Sequence, residues 1–196
     1  MSSRPPSHAT RADARRNRER VLRTAQQLFA TEGLGVPLDE IARRAGVGPG
    51  TVHRHFPTKE ALFVAVATDQ VEQLVAEAAV LVDGEDPAAL FTLLSRMMAT
   101  GAANVAVKSA LSAAEFDLRT AAPRVAEDLT GHVVDLLRRA HAAGLARSDI
   151  TADEVLALVA GAFAAIRHAD AEGSRERSAH LARIILDGMR PRPRSS

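Results

Sequence analysis

The sequence predicts an all-α protein: a small N-terminal module of three helices, then a larger helical body. Three observations predict it. Apolar residues recur at i, i+3 and i+4 along nearly every segment. No useful stretch alternates apolar and polar residues with β-branched enrichment, so no sheet is expected. Glycine and proline gather at a few breakpoints instead of scattering through the segments.

The first 14 residues, rich in Pro, Ser and Arg, read as a disordered tail. A first helix is expected over 14–32, with Val21, Leu22, Ala25, Leu28 and Phe29 on one face and Gly33 placed to end it. A second, over 37–45, has Leu38, Ile41, Ala42 and Ala45 as its buried stripe. Pro37 suits its first position, and Asp39 and Glu40 suit the positive end of its dipole. Gly46 and Val47 form a tight turn, and a short third helix covers 49–56, stopped by Pro57.

Thr58 is a good N-cap for a fourth helix over 59–82, long enough to belong to both module and body. The run Asp83-Gly84-Glu85-Asp86-Pro87 breaks the chain. Helices are then expected over 87–99, 103–119, 123–143, 152–170 and 175–189, with a frayed tail from 191. The domains are read as a tail (1–14), an N-terminal module (15–60), a helical body (61–190) and a second tail (191–196).

Composition narrows the function classes. A chain of 196 residues without cysteine excludes disulfides and thiolate metal sites. The longest uncharged apolar run, Val155 to Ile166, falls short of the about 20 residues that cross a bilayer. The polar N-terminus has no apolar stretch of the signal-peptide kind, so the protein is expected to be soluble and cytoplasmic. Net charge is +1, but residues 1–60 carry 11 Lys/Arg against 6 Asp/Glu and the remainder 14 against 18. A basic N-terminal module that meets a polyanion, joined to an acidic body, fits this asymmetry.

The stretch from Leu38 to Phe63, LDEIARRAGVGPGTVHRHFPTKEALF, carries the functional signal. Two short amphipathic helices joined by a glycine-containing turn form a helix-turn-helix. The second of them has one apolar edge, Val52 and Phe56, preceded by Val47 in the turn. Its other residues, Pro49, Gly50, Thr51, His53, Arg54 and His55, are small or hydrogen-bonding. A helix that gives so little surface to the core presents the rest to a partner. The major groove admits one α-helix, and Thr, His and Arg offer bonds to phosphates and base edges.

This block resembles the DNA-binding domain of the tetracycline-repressor (TetR) family. The matching positions are Ile41-Ala42, Ala45-Gly46-Val47, Thr51, His55-Phe56 and Lys59-Glu60-Ala61-Leu62, with Leu28-Phe29-Ala30 and Gly33 upstream. The specific motif spans about residues 15–63; the rest agrees in length and helicity. The resemblance implies that Pro49, Gly50, Thr51 and Arg54 meet the groove, Arg54 as the reader of a guanine. His53, His55 and Lys59 would hold phosphates, and Arg16 and Arg18 would reach phosphate or the adjacent minor groove. Two departures stand out: His53 replaces a tyrosine that commonly contacts phosphate, and Val36-Pro37 replaces a threonine pair.

Blander readings compete at several positions. His53 and His55, two apart on a helix, point in nearly opposite directions and make a poor metal pair. The run Gly46-Val47-Gly48-Pro49-Gly50 lacks the preceding strand of a phosphate loop. Arg43 and Arg44 fit DNA or a solvated face equally, whereas Arg138-Arg139 read as a solvated face. Arg15, Arg16, Arg18, Arg20 and Arg23 are denser than solvation requires. Phe91, Met97, Met98, Phe116 and His132 are candidates for a ligand cavity, though Met and Phe at helical spacing are more often core.

The last two helices carry Val155, Leu158, Val159, Ala162, Phe163 and Ile166, then Leu181, Ile184, Ile185 and Met189. A helix apolar beyond one stripe is deeply buried or paired, and in the TetR family the last two helices form a two-fold four-helix interface. These ten residues are the candidate dimer contacts. No nucleophile–base pair, carboxylate dyad or cofactor motif is found, so neither enzyme activity nor a cofactor is expected.

The fold expected is therefore an N-terminal three-helix DNA-binding domain with helix-turn-helix and a C-terminal helical ligand-binding and dimerisation domain. Its expected partners are a double-stranded DNA operator, a second copy of the chain and a small-molecule inducer, with no membrane. The function expected is a homodimeric repressor released from a palindromic operator by a small, largely apolar ligand. Activation fits the same residues, because the sign of regulation depends on operator position.

Overall fold

A computed structural model describes residues 8–103, 118–169 and 174–191. All secondary structure among them is helical: α1 (His8–Glu32), α2 (Leu38–Ala45), α3 (Pro49–His55), α4 (Lys59–Asp83), α5 (Ala89–Ala103), α6 (Leu118–Ala121), α7 (Pro123–Ala142), α8 (Ala152–Ala169) and α9 (Ser174–Gly188). None of the described helices is long and apolar enough to cross a membrane.

Most boundaries agree with the periodicity to within two residues. The helix expected over 103–119 lies outside the described residues except at its ends, α5 runs to Ala103 where residue 99 was expected, and α1 departs most. It begins at His8, inside the stretch read as a disordered tail. Ala9, Arg11, Ala12 and Ala14 are strong helix formers, and Arg16 pairs with Asp13 one turn back. Those preferences outweigh the polar composition from which the tail was read.

Two apolar cores hold the fold. The first joins Val21, Leu22, Ala25, Leu28 and Phe29 of α1, Ile41, Ala42 and Ala45 of α2, Val52 of α3, Phe56, and Leu62, Phe63, Val66 and Ala67 of α4. Phe29 and Phe63 meet at its centre, ring centroids 4.7 Å apart and tilted by 59°. The second starts at Leu74 and Ala78 of α4 and takes in α5, the inner face of α7, Val155, Val159 and Ala162 of α8, and Met189. The first core thus reaches past residue 60, where the domain border was read, to Ala67.

At 25 residues, α4 is about 37 Å long, and it contributes to both cores. Its N-terminus is capped by the Thr58 hydroxyl, which accepts from the Ala61 amide at 3.1 Å. Its C-terminus is held from the body. The Arg139 guanidinium donates to the carbonyls of Leu81 (3.2 Å), Val82 (2.6 Å) and Gly84 (2.5 Å). Read from sequence as part of a solvated pair, Arg139 is in fact a clamp on carbonyls that a helix end leaves without partners. Arg138 does face outward, 2.8 Å from Asp135.

Candidate nucleic-acid interface

The geometry of the interface begins with the turn between α2 and α3. Gly46 takes φ 65°, a left-handed conformation that costs other residues energy. Its amide donates to the Arg43 carbonyl at 3.2 Å, and the Val47 amide to that of Ala42 at 3.0 Å. These bonds satisfy the last carbonyls of α2 in a Schellman arrangement. Gly48 then caps α3, Pro49 opens it, and the Thr51 amide donates to the Gly48 carbonyl at 2.9 Å.

α3 is anchored as its sequence suggests. Val52 is 0 % exposed and Phe56 3 %. Pro49, Gly50, His53, Arg54 and His55 are exposed, and Thr51 is half-buried. The helix therefore offers its outer face to solvent while two side chains hold it to α1, α2 and α4.

The charged residues around it fall into two groups. Arg43 grips Glu40 with two bonds, Nε to Oε2 at 2.8 Å and Nη2 to Oε1 at 2.6 Å. Arg44 reaches Glu40 at 2.6 Å and also pairs with Glu32 of α1. The two guanidiniums, Arg43 first, lower the Glu40 carboxyl to a pKa of about 2. These arginines tie α2 together and to α1, and their charge is internally balanced. The signal was in the sequence: a glutamate with arginines three and four residues on.

In the second group, Arg54 has no acidic partner among the described residues. The Arg18 guanidinium lies 5.8 Å from the centroid of the Phe56 ring, against the end of α3. Lys59 Nζ lies 6.0 Å from the Phe63 centroid at the start of α4. On exposed turns of α1, Arg15 pairs with Glu19 at 3.6 Å and Arg20 donates to Asn17 at 2.7 Å. Arg16, which pairs with Asp13, lines an open groove of about 450 Å³ along α1 together with Asp13, Asn17, Glu19, Arg20 and Arg23.

His53 differs from its expected place as a free phosphate donor. Its Nε2 lies 3.1 Å from Oδ1 of Asp39, at the start of α2. Two exposed residues fourteen positions apart carry no local signal of pairing, and the contact exists because the turn folds α3 back across α2. Among the described residues, His55 makes a ring contact to Phe56, centroids 6.2 Å apart.

The remaining expected sites lie in the body. Phe91, Met97 and Met98 are buried in the second core, and His132 is half-buried on α7. Arg190 stacks over Phe91 at 4.4 Å, while Phe116 lies outside the described residues. Of the expected dimer contacts, Val155, Val159, Ala162 and Met189 are buried in the protomer's own core and offer no surface to a partner. Their stripe was read as partner-facing because periodicity does not say which neighbour covers an apolar face. Leu158 and Ile184 are exposed, at 45 % and 53 %, and Leu181 and Ile185 half-buried. The side chains of Phe163 and Ile166 are outside the described set. No group of three or more His, Cys, Asp or Glu fit to hold a metal occurs among the described residues.

Comparison with known proteins agrees with this geometry. Residues 21–66, from the buried stripe of α1 to the first turns of α4, match the bacterial regulatory proteins of the tetR family. Residues 86–191 match the C-terminal domain of SbtR-like transcriptional regulators. A TetR transcription regulatory protein from Mycobacterium vanbaalenii is 43 % identical, with a TM-score of 0.70 over 93 % of this chain and 99 % of that one. The TetR transcriptional regulator SCO0520 from Streptomyces coelicolor is 31 % identical, with a TM-score of 0.66 over 90 % and 99 % of the two chains. A helix-turn-helix-type transcriptional regulator of Staphylococcus aureus is 42 % identical over 53 residues, 26 % of this chain, which thus spans 29 % of that relative's length. With its body and its N-terminal module both matched, the chain belongs to the TetR family of bacterial transcriptional regulators.

Proposed function

We propose that the protein is a homodimeric repressor that binds a palindromic DNA operator and leaves it when a small, largely apolar ligand occupies the body. The observation that carries the reading is α3, anchored by Val52 and Phe56 with its other face exposed. In this reading Pro49, Gly50, Thr51 and Arg54 enter the major groove, with Arg54 on a guanine edge. His55 and Lys59 hold phosphates, as do Arg16 and Arg18 from α1. His53 does so only when its ring leaves Asp39.

Exposed Leu158 and Ile184, beside exposed Ala157, Ala160 and Gly161, support pairing of two copies through α8 and α9. A two-fold pair sets its recognition helices about 34 Å apart or a multiple, so the half-sites repeat at that spacing. The placement of α4 in both cores supports the ligand response, because a shift of the body moves the DNA module with it. Only a ligand with different affinity for the two arrangements drives that change.

Selection of bound sequences from random duplex DNA tests the proposal. An enriched near-palindrome with half-sites about one helical turn apart, or a multiple, is expected. Recovery of sequences with no shared motif would refute site-specific binding, and a single unrepeated half-site would refute the two-fold pair.

A further inference from the structure

His53 stands in the middle of α3, on the face that leaves the core, with its side chain 51 % exposed. Its ring already has a partner in the free protein: Nε2 lies 3.1 Å from Oδ1 of Asp39, on the first turn of α2. Neither backbone is free to move. Val52, the preceding residue on α3, is fully buried, and Glu40, which follows Asp39, is held by Arg43 and Arg44. The pair therefore parts by side-chain rotation, with both helices in place.

The surrounding charges leave this contact to itself. Glu40 is bonded to Arg43 and Arg44, and Arg44 also pairs with Glu32 of α1, so two arginines meet two glutamates. Arg18 of α1 lies against Phe56 at the end of α3, and Lys59 of α4 against Phe63. Among the described residues Asp39 has no arginine or lysine partner. Its carboxylate is 72 % exposed, and the positive end of the α2 dipole keeps an anion in place there.

A carboxylate oxygen and a phosphate oxygen make the same demand on an imidazole, because each accepts an N–H. One N–H serves one of them at a time. We propose that Asp39 competes with DNA phosphate for His53 Nε2, and so holds the affinity of the module for DNA below what α3 alone would reach. This rests on the proposed DNA-binding reading and names an opposing residue within it. When a duplex arrives, the ring leaves Asp39 for a phosphate oxygen and the carboxylate is left unpaired beside the backbone. When the ring turns back, the phosphate is released. An exposed pair is weak, so the competition changes affinity by roughly two- to fivefold per half-site and does not block binding.

A double-mutant cycle on the full chain tests this. Asp39→Asn removes the charge and Asp39→Ala the acceptor, each with His53 present and in a His53→Ala background, and melting temperatures confirm that every variant is folded. Binding is measured on the selected operator and on a duplex of arbitrary sequence, because phosphate contacts are common to both. Loss of simple repulsion between Asp39 and the duplex speeds association whatever stands at position 53, and the His53→Ala background measures it. Beyond that gain, both Asp39 variants should bind DNA roughly two- to fivefold more tightly per half-site when His53 is present, mainly through slower dissociation. Equal gains in the two backgrounds, or no gain, would overturn the proposal with DNA binding intact. A wild type that binds no duplex would overturn it together with the DNA-binding reading. Coupling on duplexes that share no motif would support the competition and refute only the operator.

Discussion

Arginines on the N-terminal module look alike in the sequence and differ in the fold. Arg43 and Arg44 are saturated by Glu40 and Glu32, while Arg54 has no acidic partner among the described residues. Arg54→Ala is therefore expected to cost about 1–3 kcal/mol at the cognate operator and to relax preference at one base position. Lys59→Ala should weaken cognate and scrambled duplexes alike and reduce the salt slope by about one. Titrations of both duplexes at two salt concentrations check this, and identical behaviour of the two variants refutes the division of roles. Glu40 gives a pH prediction. Its carboxyl is held at about 2 against an ordinary 4.5, by hydrogen bonds from Arg43 and then Arg44. Because the folded value is the lower one, its contribution is complete above about pH 4.5 and disappears as pH falls to about 2. The thermal margin of the wild type over Glu40→Gln should follow that window, and a margin constant from pH 6 to 2 would show that the pair does not stabilise.

At the scale of elements, the helix-turn-helix depends on one backbone conformation. Gly46 has φ 65° with no atom within 4 Å of where a Cβ would stand, so Gly46→Ala meets conformational cost without a clash. That cost is about 1–2 kcal/mol. Gly48 has φ −65°, and an added Cβ there would stand 3.9 Å from Thr51 Oγ1, an ordinary contact. Gly48→Ala should change stability by less than about 0.5 kcal/mol. Urea unfolding of both variants checks the contrast, and equal losses would remove the special role of the turn. The extent of α1 shows where composition misleads. Polar residues were read as a tail, yet alanine and arginine spacing allows the helix to start at His8.

At the scale of the molecule, α4 is fixed at both ends and shared between the cores. Arg139→Met removes three charge-assisted bonds from its C-terminus and is expected to cost about 2 kcal/mol. Amide exchange near the carbonyls of Leu81 to Gly84 should accelerate first; exchange unchanged there would show that the clamp is idle. The proposed dimer belongs to this scale as well. Leu158→Asp with Ile184→Asp places charge on the exposed apolar positions of α8 and α9. If the proposed pairing holds, the wild type sediments as a dimer and the double variant as a monomer at the same concentration, with its helical signal intact. Persistence of the dimer would place the contact on another face.

The all-helical fold, the positions of most helices and the exposed face of α3 were legible in the sequence, because they follow from local rules. A 3.6-residue apolar period, glycine and proline at the breaks, and a short helix with two anchors each act within a few residues. The pairing of His53 with Asp39 and the Arg139 clamp were not legible. Each depends on residues brought together by packing between elements. For the same reason periodicity marked Val155, Val159, Ala162 and Met189 as covered, but only the assembled protomer decided that its own core covers them. An apolar stripe records that a face leaves water, and the identity of what it meets is a property of the whole arrangement.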